Sequence, residues 1–200
     1  MKIMAIGDIH GDTGLVKKLA KKAKDEKVDL VIIPGDLTWL EQSTENLIGP
    51  FIKQGKEVLL IPGNHETMPT INFLSAMYPK TKNLHGKGIQ KGDLGIFGAG
   101  YSTNAGPFWI EEKELAQKLK EAHEKVKYAK KKIMITHMHH HGSEAEFSGW
   151  PGSKAVKEAV KKFKPDILIS GHIHEAGGLQ EKIGKTKIIN VSRNAAIFEI

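Results

Sequence analysis

Five short apolar runs constrain how this chain can fold: residues 2–7 (KIMAIG), 29–33 (DLVII), 57–61 (EVLLI), 133–136 (IMIT) and 166–170 (DILIS). Each is too short for a buried helix and too continuously apolar for a half-exposed strand, which is the pattern of a strand covered on both faces. The segments between them have helical spacing. In residues 13–27, Leu15, Leu19 and Ala23, with Val16 and Ala20 beside them, make one face, while Lys17, Lys18, Lys21, Lys22 and Lys24 fall outside it. Helices are also expected over 41–54, over 67–78 where Thr67 and Pro69 read as a start signal, over 109–127 and over 153–164. Alternating strands and helices predict an α/β fold with mainly parallel pairing. Hairpin signals at Gly92-Asp93, within 82–98, and at Gly184-Lys185, between 179–183 and 186–190, add antiparallel strands, and 195–200 reads as a last strand. No linker or repeat divides the 200 residues, so one domain over 1–200 is expected.

Composition narrows the chemistry. No apolar run approaches the roughly 20 residues that span a bilayer, and residues 1–7 meet Asp8 before they could form a signal-peptide core. A soluble, cytoplasmic protein without a membrane partner is expected. With no cysteine, a disulfide, a thiolate metal site and a cysteine nucleophile are all excluded, and a metal would have to be held by His, Asp, Glu or Asn. The net charge of +7 invites a nucleic-acid partner, but of 30 basic residues only Arg193 is arginine. Lysine lacks the planar fork that grips phosphates and base edges, so a solvated lysine-rich surface is the favoured reading.

Each apolar run gives way to polar residues of one chemical kind. The runs end in Gly7-Asp8-Ile9-His10, Pro34-Gly35-Asp36, Pro62-Gly63-Asn64-His65-Glu66, His137 and Gly171-His172-Ile173-His174. Any one of these alone is an ordinary turn or loop. Together they mean more, because ligands of open α/β sheets lie beyond the carboxyl ends of the strands. Five ends would bring two carboxylates (Asp8, Asp36), one amide oxygen (Asn64) and four imidazoles (His10, His137, His172, His174) to one place. These are ligands for first-row divalent metals; seven are too many for one tetrahedral ion and about right for two ions sharing a bridge. Two such ions over two carboxylates leave a positive site suited to an anion. A metal-bridging hydroxide is then the expected nucleophile for in-line attack on phosphorus, with the metals offsetting charge on the phosphoryl oxygens.

The ordered blocks D-x-H (Asp8, His10), G-D (Gly35, Asp36), G-N-H-E (Gly63, Asn64, His65, Glu66), H (His137) and G-H-x-H (Gly171, His172, His174) resemble the calcineurin-like metallophosphoesterase superfamily. The resemblance implies a four-layer α/β/β/α sandwich of two mixed β-sheets flanked by helices. It implies one metal on Asp8, His10, Asp36 and His174 and a second on Asp36, Asn64, His137 and His172, with Asp36 bridging. The ions would come from Mn, Ni, Fe, Co or Zn, manganese being favoured. His65 matches the family's non-ligand histidine near the leaving group, a stabiliser of the phosphoryl group or a general acid. Glu66 is expected behind the ligands or at a helix start, where an acidic side chain is favourable without catalysis.

The run His137-Met138-His139-His140-His141 departs from the prolines that many relatives carry there. His137 is assigned as the ligand because it follows the strand directly. His139 is a candidate for the second metal or the substrate, against a reading of residues 139–141 as a partly exposed loop without chemistry. His85 reads as structural, and His123, in a Lys/Glu-rich helix, as exposed. Trp39, Tyr101 and Trp150 are candidates for an apolar rim, against ordinary packing at loop ends. The activity expected is hydrolysis of a small phosphodiester or phosphomonoester, nucleotides and cyclic nucleotides included, without a covalent phosphoenzyme. A metal-dependent nuclease, favoured only by the lysine excess, and a non-enzymatic scaffold on the same fold are the alternatives; every ligand position is filled, which argues against the second.

Overall fold

The computed structural model describes residues 1–200. Two mixed β-sheets pack face to face with helices on both outer sides. The first sheet has β1 (Lys2–Ala5), β2 (Leu30–Ile33), β3 (Glu57–Leu60) and β4 (Thr81–Asn83) in parallel order, with β11 (Ala196–Glu199) antiparallel to β1 at one edge. In the second, β6 (Leu94–Ala99), β7 (Lys131–Thr136), β8 (Ile167–Ser170) and β10 (Thr186–Asn190) run parallel. Antiparallel β5 (Lys87–Lys91) and β9 (Gln180–Ile183) close its two edges.

The period-2 alternation of a strand explains why the runs are apolar throughout. Ile3, Ala5, Leu30, Ile32 and Leu59 of the first sheet meet Ile96, Ile133, Ile135, Ile167, Ile169 and Ile189 of the second in one buried layer. Their neighbours Met4, Val31, Ile33, Val58 and Leu60 face outward, under α1 (Thr13–Asp25), α2 (Gly49–Lys53) and α3 (Met68–Met77). On the other side, Phe97, Met134, Leu168 and Ile188 lie beneath α4 (Glu112–Glu124) and α5 (Lys154–Phe163). The long lysine-bearing helices α1, α4 and α5 insert an apolar stripe and turn most of their lysines outward, as α1 does with Val16, Leu19, Ala20 and Ala23 buried. At about 1.5–3 kcal/mol for each large side chain removed from water, these three layers are the main cohesive force.

Three sequence expectations change. The helix over 41–54 shrinks to Gly49–Lys53, because Leu40, Glu41 and Asn46 take left-handed backbone angles (φ 50, 59 and 57) that no α-helix accommodates. Glu41 instead turns its carboxylate to the Thr67 amide (2.8 Å) and to the hydroxyls of Thr67 and Thr70. The helix over 109–127 begins only at Glu112, after Trp109 has bridged to Ser102. Residues 82–83, at the start of the 82–98 stretch read as a hairpin, belong instead to β4, which pairs with β3 in the other sheet, while the hairpin itself turns at Gly92-Asp93 as anticipated.

The carboxyl ends of β1, β2, β3, β7 and β8 open at the same end of the sandwich. Backbone hydrogen bonds tie the sheets together there, the Gly7 amide donating to Val191 O (3.0 Å) and the Tyr101 amide to Pro62 O (2.9 Å), while the Gly171 amide joins the ends of β8 and β7 within the second sheet at His137 O (2.9 Å).

Candidate functional site

Each strand end is bent so that its polar residues turn inward. Asp8, His10, Asp36 and His172 all have positive φ (55, 49, 50 and 75). Non-glycine residues adopt this conformation rarely, Asp and His more readily than most, and such strain persists where the surroundings over-determine it. It is also why residues two apart, Asp8 with His10 and His172 with His174, reach one place. Glycines make room: a side chain on Gly63 would collide with the Asp36 carboxylate, and one on Gly35 (φ +97) would sit 2.5 Å from His137 Nδ1.

All seven expected metal-ligating residues are brought together. The ligand atoms of Asp8, His10 and His174 lie within 4.8 Å of one another, as do those of Asp8, Asp36 and His137 and those of His10, Asp36 and His65. Asp36 stands centrally, its Oδ2 3.7 Å from His10 Nε2 and 3.5 Å from His137 Nε2. His174 Nε2 is 2.9 Å from His10 Nε2 and 3.6 Å from Asp8 Oδ1. On the other side, His137 Nε2 lies 2.9 Å from Asn64 Oδ1 and 3.2 Å from His172 Nδ1.

The hydrogen bonds identify which nitrogens carry protons. His137 Nδ1–H donates to Pro34 O (2.9 Å) and His10 Nδ1–H to Thr38 O (3.3 Å), so in both rings Nε2 offers its lone pair to the cluster. Burial pulls His10 down to about 4 and His172 to about 3, which keeps both rings neutral at neutral pH. His174 is raised by its hydrogen bond to Asp8, against burial and the charge of Arg193. Burial together with Asp8 holds the Asp36 carboxyl well above the usual carboxylate range; for Asp8 burial is outweighed by His174 and His137, and its carboxyl is lowered.

This donor set fits divalent cations. Asp8 and Asp36 are almost fully buried and have only histidines as ion-pair partners. His137 Nε2 and the Asn64 amide oxygen converge at 2.9 Å, two donor atoms of the kind that one divalent cation binds together.

The remaining candidates separate. His65 stands at the cluster, its Nε2 3.8 Å from Asp36 Oδ2, its Nδ1 buried without a partner, its basicity lowered by burial and by His137. Trp39 lies over it with ring centroids 4.6 Å apart, and 5.1 Å from His10, while remaining 46% exposed. Glu66 does not start a helix. Fully buried, it accepts from the amides of Gly63 (2.9 Å), Asp36 (3.1 Å) and Thr38 (2.6 Å) and from the Thr38 hydroxyl (3.0 Å), locking the second and third strand ends together. Burial and the Asp36 charge push it to about 7.

Of the run read either as a contributor to the site or as a partly exposed loop, His139 and His140 are buried and His141 faces solvent. His139 lies outside the cluster, its Nε2–H donating to Trp150 O (3.3 Å) and its ring almost parallel to that of His172 at 6.5 Å. His123, expected to be exposed, stacks on Phe163 at 4.2 Å and meets Phe97 edge-on. His85 is structural, as expected, its Nδ1 accepting from the Gly100 amide (3.1 Å). Sequence reasoning missed Thr38, whose carbonyl orients His10, and Arg193 beside Asp8; the one available signal was that Arg193 is the sole arginine.

Known structures share this architecture at low sequence identity. The protein TT1561 of Thermus thermophilus superposes with a TM-score of 0.75 at 17% identity, over 94% of this chain and 88% of that one. A dimetal phosphatase from Danio rerio gives 0.67 at 12% identity, over 95% and 86%. An archaeal phosphodiesterase gives 0.54 at 17% identity, over 95% and 82%. A search of the curated proteins finds no match. The family model for calcineurin-like phosphoesterases matches residues 1–176, which takes in every strand end of the cluster, and the chain therefore belongs to that family of phosphoric-ester hydrolases.

Proposed function

We propose that this chain is a dinuclear-metal phosphoesterase for small phosphate esters, working as one domain over residues 1–200. Asp8, His10, Asp36 and His174 would hold one divalent ion, and Asp36, Asn64, His137 and His172 the other, with Asp36 shared. The observation that carries the reading is the convergence of seven potential metal-ligating residues around two buried carboxylates that no lysine or arginine neutralises. When bound, the ions supply a readily ionised water and positive charge for the phosphoryl oxygens.

The protein's own residues do the rest. His137 and His10 are fixed in the metal-ligating tautomer by the Pro34 and Thr38 carbonyls. Glu66 holds the backbone under Asp36, and its four donors favour the ionised carboxylate. His65, neutral at rest, presents a ring N–H toward the phosphoryl or leaving oxygen and takes part in proton transfer there. Trp39 packs against His65 and offers an exposed aromatic face at the leaving-group side, which suits an aryl or nucleoside substituent.

The test is hydrolysis of p-nitrophenyl phosphate, bis(p-nitrophenyl) phosphate and cyclic nucleotides by chelator-stripped protein resupplied with Mn²⁺, Ni²⁺, Co²⁺, Fe²⁺ or Zn²⁺. Activity is expected to return with metal, manganese foremost. Asp36→Asn and His65→Ala should each reduce it by at least about a hundredfold. A wild type inactive on every ester with every metal would defeat the reading and leave the scaffold alternative. Turnover confined to single-stranded nucleic acid, with steeply salt-dependent binding, would favour the nuclease.

A further inference from the structure

Arg193, the only arginine among 30 basic residues, stands where the two sheets meet at the site. The segment from β10 to β11 crosses there: the Val191 amide donates to Ser170 O (2.8 Å), the Gly7 amide to Val191 O (3.0 Å) and the Arg193 amide to Gly7 O (3.0 Å). The backbone that delivers Asp8 and His10 thus also places Arg193, in a left-handed conformation (φ 50) that a non-glycine residue adopts only where its surroundings impose it. Its Nη1 lies 3.5 Å from Asp8 O and its Nη2 3.6 Å from Asp12 Oδ2. Asp12 is itself fixed, because its Oδ1 caps α1 at the Leu15 amide (2.8 Å).

Both guanidinium contacts are long, and 43% of the side chain is exposed. A planar group with five donors is therefore held in position with most of its hydrogen-bonding capacity unused. No lysine forms an ion pair with any of the seven clustered residues, which leaves Arg193 as the one fixed protein cation at the rim.

Resting on the phosphoesterase reading above, we propose that Arg193 grips a non-bridging oxygen of the substrate's phosphoryl group and so favours phosphomonoesters over phosphodiesters. A diester phosphorus carries two non-bridging oxygens, which two cations can take between them. A monoester carries a third oxygen and a further negative charge. That third oxygen is what an additional forked donor at the rim can serve.

The test compares wild type, Arg193→Ala and Arg193→Lys as metal-loaded proteins. Titration calorimetry with inorganic phosphate reads binding without turnover. Arg193→Ala is expected to bind phosphate about tenfold more weakly, with Arg193→Lys between the two because the charge stays and the fork is lost. With p-nitrophenyl phosphate, KM should rise by about tenfold in Arg193→Ala, whereas bis(p-nitrophenyl) phosphate should change by less than about twofold. Phosphate affinity unchanged in Arg193→Ala would overturn the proposal, and a lower melting temperature with unchanged affinity, the mark of a mere brace for Asp12, would do the same. Equal losses on the two esters would overturn the monoester preference. A wild type that hydrolyses nothing, yet loses phosphate binding with Arg193→Ala, counts against the phosphoesterase reading and, with it, the ester preference, while supporting the contact of Arg193 with a phosphate oxygen.

Discussion

His85 shows how one buried side chain can govern acid sensitivity away from the metal ligands. Burial, reinforced by the charges of Lys118 and Lys87, lowers it from the ordinary 6.5 to about 4. Its Nδ1 is committed as acceptor to the Gly100 amide, so a proton there would break a hydrogen bond as well as charge a covered ring. Above pH 6.5 neither folded nor unfolded chain holds this proton and the contribution is flat. Between 6.5 and 4 the unfolded chain binds a proton that the folded chain does not, so stability falls as pH falls, by up to about 1.4 kcal/mol per unit and roughly 3 kcal/mol in all. Below 4 both states are protonated and the slope vanishes. Urea unfolding of wild type and His85→Gln, with chelator present so that metal release does not intrude, should show the wild type losing stability faster from about pH 7 to 4. Parallel pH dependences would refute the assignment. At this scale the sequence was legible where chemistry and position coincide, as at Asp8, Asp36 and His65. It was not legible at Glu66, whose role depends on three amide donors from two strand ends that no local pattern brings together.

Among the elements, α5 illustrates how a helix start can be shared. Ser153 caps it in the ordinary way, accepting from the Val156 amide (3.2 Å), but Glu112, in the first turn of α4, also reaches across. It accepts from the Ser153 hydroxyl (2.8 Å), the Ala155 amide (2.7 Å), the Lys154 amide (3.1 Å) and the Thr103 hydroxyl (3.2 Å). One carboxylate therefore serves the positive ends of two helices. Glu112→Ala leaves those donors to water and should cost about 2–3 kcal/mol in urea unfolding. Because the Ser153 amide donates to His139 O (2.9 Å), the same change should speed hydrogen exchange in the 139–153 segment; a loss below about 0.5 kcal/mol would show that water replaces the carboxylate without penalty. The capping of α5 by Ser153 could be read locally, whereas the reach of Glu112 could not. The same distinction explains the expectation of a helix over 41–54. Leu47, Ile48 and Phe51 are buried as that pattern implied, but Glu41 satisfies the start of α3 and draws the chain before Gly49 into turns. β4 escaped notice because Thr81-Lys82-Asn83 has no apolar run; its position is decided by pairing with β3.

For the molecule as a whole, the clustered residues come from both sheets. Asp8 and His10 follow β1, Asp36 follows β2 and Asn64 follows β3, all in the first sheet; His137 follows β7 and His172 and His174 follow β8, in the second. The order of the motifs made the shared site legible, since strand ends of parallel sheets collect on one side, but the runs themselves do not say which strands share a sheet. A metal held by this set would cross-link the two halves of the sandwich at their open end, in addition to the apolar layer between them. Binding that requires the folded arrangement stabilises it by mass action, by about 2.7 kcal/mol when free metal is a hundred times its dissociation constant. For a chain of this length each kcal/mol moves the melting temperature by roughly 2–4 °C, so stripping the metal should lower Tm by roughly 5–10 °C. Differential scanning calorimetry of metal-loaded and chelator-treated protein measures this directly, with Asp36→Asn as the control that should lose most of the difference. The variant removes the one carboxylate common to both proposed ions while leaving the interlayer core of Ile32, Ile135 and Ile169 intact, so its melting temperature should sit near that of the chelated wild type whether or not metal is added. A wild-type Tm that ignores chelation would mean that the sheets are held by their apolar layer alone and that the seven donors do not bind metal with useful affinity.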